Sequence, residues 1–374
     1  MKIALIHTRL LRRGGLETRL FSYMEWLSAH GHEVTVIVGK LGKDVVPPAN
    51  VRLILINLKP IPKPLRDLAF DWKLPDVMEQ NEFDFVLSLA RTSHQDAVLA
   101  PGNHLGFMKA TKRRFKGLSD RVSIALDRRA FASSTTILAA SRMMSEEVVR
   151  YYGVKPEKIR VLRPPVDERR FHQGLLAHRT ALRDKYGFHP QKKSFVFVSS
   201  SHARKGLPLL LETFRSLIDE PFEMLIAGVG KMDDLPGNVK DLGFVEPIEE
   251  LYAAADFTVL PALYEPYGQV VAESILCGVP VLVSPMVGAK EIVSSGEGRV
   301  IASFSPADWA EAIRGIARQS FRIDPDFGVK HRILLHDHMS AILGLAEEKR
   351  RSGGAAVGVR SRSSPRPVAR GRGR

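Results

Sequence analysis

Cysteine is nearly absent from this 374-residue chain, and Cys277 is the sole thiol. One thiol excludes a disulfide scaffold and any cysteine-based zinc or iron–sulfur site. No apolar run approaches the roughly 20 residues that span a bilayer. The short apolar stretch Lys2–His7 stops before Arg9, Arg12 and Arg13. It is too short for the core of a secretion signal and reads as a first β-strand, so a reducing, cytoplasmic setting is expected. Aromatic residues are only 7% of the chain, sparse for a base-stacking surface. Neither G-x-G-x-x-G nor G-x-x-x-x-G-K-[ST] occurs, which counts against dinucleotide-dehydrogenase and P-loop readings. What remains is the mix of a soluble globular protein, 44% hydrophobic and 26% charged. At about 150 residues per domain it predicts two domains.

The net charge of +14 is unevenly spread. Residues 1–165 carry +11, residues 166–351 carry −3, and residues 352–374 carry six arginines and no acid. The basic first half favours an anionic partner: a membrane surface, a phosphorylated glycan or a nucleic acid. The Gly/Arg/Pro-rich segment 352–374 is expected to be disordered.

Strand and helix patterns alternate along both halves. Lys2–His7, Glu33–Val38, Val51–Ile56 and Asp84–Leu89 read as strands, and Leu16, Leu20, Met24 and Leu27 recur at helical spacing before Gly31. The Pro- and Lys-rich stretch 57–80 reads as an irregular connection. The second half predicts strands at Phe195–Ser199, Glu223–Ala227, Phe257–Leu260 and Val279–Ser284. Its predicted helices are Leu207–Ile218, Ile248–Ala255, Gln269–Cys277 and Pro306–Gln319, with a last helical stretch over 331–351. The expectation is α/β: two doubly wound, Rossmann-like domains, 1–165 and 166–325, facing a cleft, followed by a returning helix at 326–351 and the tail at 352–374. Arg163-Pro164-Pro165 marks the boundary.

Three segments have the residue types of an anion site. Arg12-Arg13-Gly14-Gly15 lies between the first strand and first helix, where glycines permit close backbone approach to a phosphate. Arg204-Lys205-Gly206 follows a strand, and two cations there suit a diphosphate. Tyr264-Glu265-Pro266-Tyr267-Gly268-Gln269-Val270-Val271-Ala272-Glu273 sets two carboxylates eight residues apart around a helix start at Gly268. Glu265 then falls in the preceding loop and Glu273 about a turn and a half inside the helix. This pattern suits a nucleotide-sugar, with the sugar near Glu265, the diphosphate at the helix start and the ribose near Glu273. His331, His336 and His338 cluster on the last predicted helical stretch and read as surface residues, and Cys277 reads as inert packing.

The stretch from Val239 to Val293 resembles the donor-binding domain of family 4 retaining glycosyltransferases, which have the GT-B fold. The E-x7-E pair, the C-G-V-P-V turn at 277–281 and the G-A-x-E segment at 288–291 carry the likeness. Gly14-Gly15-Leu16-Glu17, QDAVLAPGNH and SSSHARKG extend it over residues 1–350, and most resemble the lipopolysaccharide core glucosyltransferases. The resemblance implies a hexose transferred with retention from a nucleotide-diphosphate sugar, UDP-sugar first, to a lipopolysaccharide core or other envelope glycan, with no metal or other cofactor. It implies that Glu265 contacts the donor sugar, Glu273 the ribose, and Arg204 and Lys205 the leaving diphosphate. Tyr267, Gly268 and Gln269 complete the donor loop. In many relatives the arginine stands five residues before the lysine, a position held here by Ser200. His104 matches a histidine near the transferred sugar, with His94 as its competitor. The basic run Lys109, Lys112, Arg113, Arg114 and Lys116, with Phe107 and Phe115, is expected to meet the acceptor or the inner face of the cytoplasmic membrane. Two rival readings stand beside this one: a GT-B-type nucleotide-sugar epimerase or phosphorylase, and a non-enzymatic basic nucleic-acid-binding protein, the latter disfavoured.

Overall fold

A computed structural model describes residues 1–360 except 12, 13, 44, 114–116, 231 and 233, with side chains to residue 352. Arg12, Arg13, Arg114, Phe115, Lys116 and residues 361–374 therefore lie outside the described residues.

The first domain runs β1 (Lys2–His7), α1 (Gly15–Ala29), β2 (Glu33–Val38), β3 (Val51–Leu55), α2 (Arg66–Glu79), β4 (Phe85–Ser88), β5 (Ala97–Ala100), α3 (His104–Ala110), α4 (Leu118–Ser133), β6 (Thr136–Ala139), α5 (Arg142–Tyr152) and β7 (Ile159–Val161). Its seven strands are all parallel, in the order β3-β2-β1-β4-β5-β6-β7. The second domain runs α6 (Arg179–Tyr186), β8 (Lys193–Ser199), α7 (Leu207–Ser216), β9 (Phe222–Gly228), β10 (Val239–Asp241), α8 (Ile248–Ala254), β11 (Phe257–Leu260), α9 (Gln269–Leu276), β12 (Val281–Val283), β13 (Gly298–Val300), α10 (Pro306–Ile316) and α11 (Phe327–Lys330). Its sheet is also parallel, ordered β10-β9-β8-β11-β12-β13. Both sheets are covered on two faces, which is why β1, β2 and β8 read as continuous apolar runs. In each sheet the order reverses beside the first strand of the domain, and crevices for ligands open at such switch points.

The last helix, α12 (Leu335–Arg360), returns to the first domain. Met339, Ile342, Leu345 and Ala346 pack in one core with Leu20, Tyr23, Met24 and Leu27 of α1. The helix passes residue 351, where the composition places its end. None of the described helices is long and apolar enough to cross a membrane.

Two expectations are corrected. The stretch 57–80 holds α2 rather than an irregular connection. Phe70 and Leu74, one turn apart, are buried against the sheet, and buried Asp71 between them meets Arg129 at 3.2 Å. Pro75 stands inside this helix and removes a single backbone bond, which the packing of the apolar face outweighs. His338 is fully buried rather than on the surface. It shares a face with Ile342 and Leu345, hydrogen-bonds the Tyr23 hydroxyl through Nε2, and holds Nδ1 2.8 Å from the Arg163 carbonyl. Burial pushes its pKa down to about 3, so the ring is neutral. His336 is exposed, and Cys277 is buried with its thiol pKa pushed up.

Candidate active site

The two sheets turn their strand ends toward a cavity of about 840 Å³. The first domain contributes His7, His104, Phe107 and Asp127, and the second Arg204, Tyr264 and Glu265. A neighbouring cavity of about 300 Å³ is lined by Gly15, Thr18 and Arg19 of α1, by Asp167 and Arg170, and by Gln269 and Glu273 of α9. Of the sequence-expected residues, His104, Arg204 and Glu265 line the larger compartment and Gly15, Gln269 and Glu273 the smaller, whereas Gly14, Lys205, Tyr267 and Gly268 line neither.

On the second domain, the loops after β8 and β11 are bound together. The Leu263 amide donates to the Arg204 carbonyl at 2.9 Å. Arg204 Nη1 donates to the Tyr264 carbonyl at 2.7 Å and to Glu265 Oε2 at 3.0 Å. Arg204 and Glu265 therefore hold each other at the cavity wall. Lys205 turns back toward β8, its Nζ 3.4 Å from the Val198 carbonyl. Burial lowers its pKa, against the pull of Glu265 and Glu273. A buried ammonium with only a weak neutral partner is a receptor for an added anion.

Gly268 begins α9 at φ 94°, and a Cβ there would meet Val287 Cγ1 at 2.9 Å. This left-handed turn swings Glu265 to the large cavity and Glu273 to the small one. Glu273 accepts the Tyr252 hydroxyl at 3.0 Å, and burial raises its pKa. Gln269 Nε2 crosses to the Pro165 carbonyl at 2.7 Å. Tyr267 is buried, and its hydroxyl has no partner among the described residues. Gly14 caps α1 at φ 126°; a Cβ there would lie 2.2 Å from Glu17 Oε2, whose carboxylate pairs with Arg9 at 2.6 Å. Gly14 is thus held open by a buried acid, while Gly15 faces the small cavity.

His104 starts α3 behind its cap Asn103. Its backbone amide donates to Asp127 Oδ2 at 2.8 Å, and its Nε2 lies 2.8 Å from Asp120 Oδ1. Asp127 also accepts from Arg91 and Tyr152. The ring is therefore oriented at the cavity by buried carboxylates, whereas His94 lines neither compartment. The sequence reasoning passed over Asp120, Asp127, Asn103 and Glu147. The seven-residue spacing of the two aspartates, which puts both on one face of α4, was the available signal.

The basic run divides. Lys109 and Lys112 are exposed, Lys109 with its Nζ 4.5 Å from the centre of the Tyr151 ring, while Arg113 reaches Asp120 at 3.4 Å. Phe107 faces the cavity and the Tyr264 ring, 6.2 Å between centres, and so is not free to enter a lipid surface. Among the described residues no group of three or more His, Cys, Asp or Glu side chains is placed to hold a metal ion.

Known proteins resemble this chain in sequence and in fold. Residues 13–170 match the model of Glycosyltransferase Family 4, and residues 192–319 that of Glycosyl transferases group 1. A probable transglycosylase of Burkholderia thailandensis is 32% identical over 369 residues, covering 95% of this chain and all of the relative. The lipopolysaccharide glucosyltransferase WaaG of Escherichia coli is 25% identical, covering 82% of this chain and 87% of the relative. The crystal structure of WaaG, a glycosyltransferase involved in lipopolysaccharide biosynthesis, superposes with a TM-score of 0.74 at 22% identity, covering 93% of this chain and 94% of that one. Anabaena HepE, in complex with UDP and glucose, gives 0.68 at 17% identity, covering 92% and 99%. The shared two-domain arrangement is the GT-B fold.

Proposed function

The chain belongs to glycosyltransferase family 4, and we propose that it transfers a hexose from a nucleotide-diphosphate sugar, UDP-sugar first, to a lipopolysaccharide core or related envelope glycan. One observation carries this reading. Arg204 and Glu265 on one wall of a cavity of about 840 Å³ face His104 on the other, with the α9 start and Glu273 adjoining. The likeness to WaaG supports the acceptor class, and the UDP and glucose held by HepE support the donor class.

Cleavage of the anomeric C–O bond develops positive charge on the sugar and negative charge on the diphosphate. Arg204, Lys205 and the α9 amides are the fixed positive groups for that anion, and they act most strongly where water is excluded. Donor binding releases Glu265 from Arg204 as the cation turns to phosphate, and the carboxylate is then available to sugar hydroxyls. With charge stabilisation supplied by protein cations, the reaction proceeds without a metal. Retention follows from acceptor attack on the face the diphosphate leaves, the departing phosphate accepting the proton. Lys109 and Lys112 place the acceptor domain against an anionic lipid surface on the cytoplasmic side.

The test is a thermal-shift screen with UDP, GDP, ADP and their common sugars, in wild type and in Glu273→Gln. The amide still accepts the Tyr252 hydroxyl, so the unliganded fold is preserved. Stabilisation by one nucleotide, lost in Glu273→Gln, supports the site and names the base. No stabilisation by any nucleotide would overturn the reading. NMR of the product with the matching donor then reports the anomeric configuration.

A further inference from the structure

Arg19 is a charged side chain of the small compartment that the donor site just described does not use. It sits in the second turn of α1, on the acceptor domain, and lines the small cavity with Gly15, Gln269 and Glu273. Its Nη2 crosses the cleft to Gln269 Oε1 at 3.3 Å, a long bond to a neutral acceptor. Its Nη1 is buried and without a hydrogen-bond partner among the described residues, and no described carboxylate pairs with it. The adjacent polar group, the Tyr267 hydroxyl, is likewise unpartnered, in a side chain only 4% exposed. Arg19 and Tyr267 are near enough that each biases the other's ionisation.

An arginine always carries its charge, so it cannot relieve burial by losing a proton. A buried, unpaired guanidinium is costly unless an anion arrives. Arg19 stands where α1 crosses the start of α9, beside Gly15. That is the border at which a diphosphate would lie between the sugar compartment and the ribose compartment.

We propose that Arg19 is a donor-phosphate ligand contributed by the acceptor domain, exchanging Gln269 for a phosphate oxygen when a nucleoside diphosphate enters the cleft. The anion then bridges the domains, with Arg204 and Lys205 holding it from one side and Arg19 from the other. Tyr267 supplies a further hydrogen bond from the α9 side. Binding of the donor in this way tightens the cleft around the sugar before transfer, because the bridge forms only when both domains and the diphosphate are present. This inference rests on the donor site proposed above.

The test compares wild type, Arg19→Lys and Arg19→Met by calorimetric titration with UDP, GDP and ADP, each beside its own nucleoside, and with inorganic pyrophosphate. A charge-assisted hydrogen bond to phosphate corresponds to about tenfold or more in affinity. The expected result is that loss in Arg19→Met for the diphosphate and pyrophosphate, with nucleoside affinity unchanged and partial recovery in Arg19→Lys. Arg19→Lys keeps the cation and guards against a simple folding defect. An arginine that only braces Gln269 would weaken nucleoside and diphosphate alike, and that outcome overturns the proposal. Equal diphosphate affinity in wild type and Arg19→Met overturns it too while leaving the donor site standing. Failure of wild type to bind any diphosphate or pyrophosphate overturns the donor site and this inference together.

Discussion

The Tyr264 hydroxyl donates to Glu147 Oε2 at 2.6 Å across the cleft, joining the E-x7-E loop of one domain to α5 of the other. Asn103 Nδ2 donates to the same oxygen at 2.6 Å, while its Oδ1 caps α3 by accepting the Gly106 amide. The residue that starts the His104 helix and the residue preceding Glu265 therefore share one carboxylate. Domain position and His104 placement are coupled through it.

Tyr264→Phe removes one bond to that carboxylate and is expected to cost about 1.5 kcal/mol of stability. Burial raises the Glu147 pKa above the ordinary 4.5, and the Tyr264 bond opposes that rise. A carboxyl raised in the folded state stabilises below its unfolded pKa, and that stability is lost as pH climbs through the folded value. Tyr264→Phe raises the folded value further and extends the loss to higher pH. Glu147→Gln abolishes it. Unfolding temperatures measured from pH 4 to 8 in the three proteins check this.

Lys205 predicts a pH dependence of donor binding. Its pKa is depressed by burial below the ordinary 10.5, and a bound diphosphate favours the charged form. Affinity for a nucleoside diphosphate is therefore full below the depressed pKa and falls as pH rises through it, earlier than a free lysine would allow. Lys205→Arg is expected to remove that fall. Titrations between pH 7 and 10 decide it.

His104→Asn is expected to lower the transfer rate by about 100-fold, through loss of positioning at the sugar, while nucleotide affinity stays within a factor of about two. Asp120 retains Arg113 in this variant, so the unfolding temperature holds. His94→Ala, outside both compartments, leaves turnover unchanged. A loss confined to His94→Ala would reverse the assignment.

Chelation with EDTA is expected to leave the rate of sugar transfer unchanged, since the proposed mechanism meets the developing phosphate charge with Arg204, Lys205 and the α9 amides. Abolition by EDTA with recovery on adding a divalent cation would refute this.

The longer strands and the parallel order were legible in the chain itself, because each rests on local pattern, whereas the short strands β5, β6, β7, β10 and β13 were not. Apolar runs such as EVTVIV require burial on both faces, and the Glu265-to-Glu273 spacing about Gly268 places one acid before the helix and one inside it wherever that helix lies. Pro75 hid α2 because proline is a local signal, while the helix is held by Phe70 and Leu74 against a sheet built from distant strands. His338 looked like a surface residue for the same reason: its partners, Tyr23 and the Arg163 carbonyl, are 315 and 175 residues away. The bond from Tyr264 to Glu147 and the reach of Arg19 to Gln269 are likewise decided only when the two domains meet. Charge and hydrogen bonding act through space over a few ångströms, so residues far apart in the chain settle one another's roles only after folding brings them together.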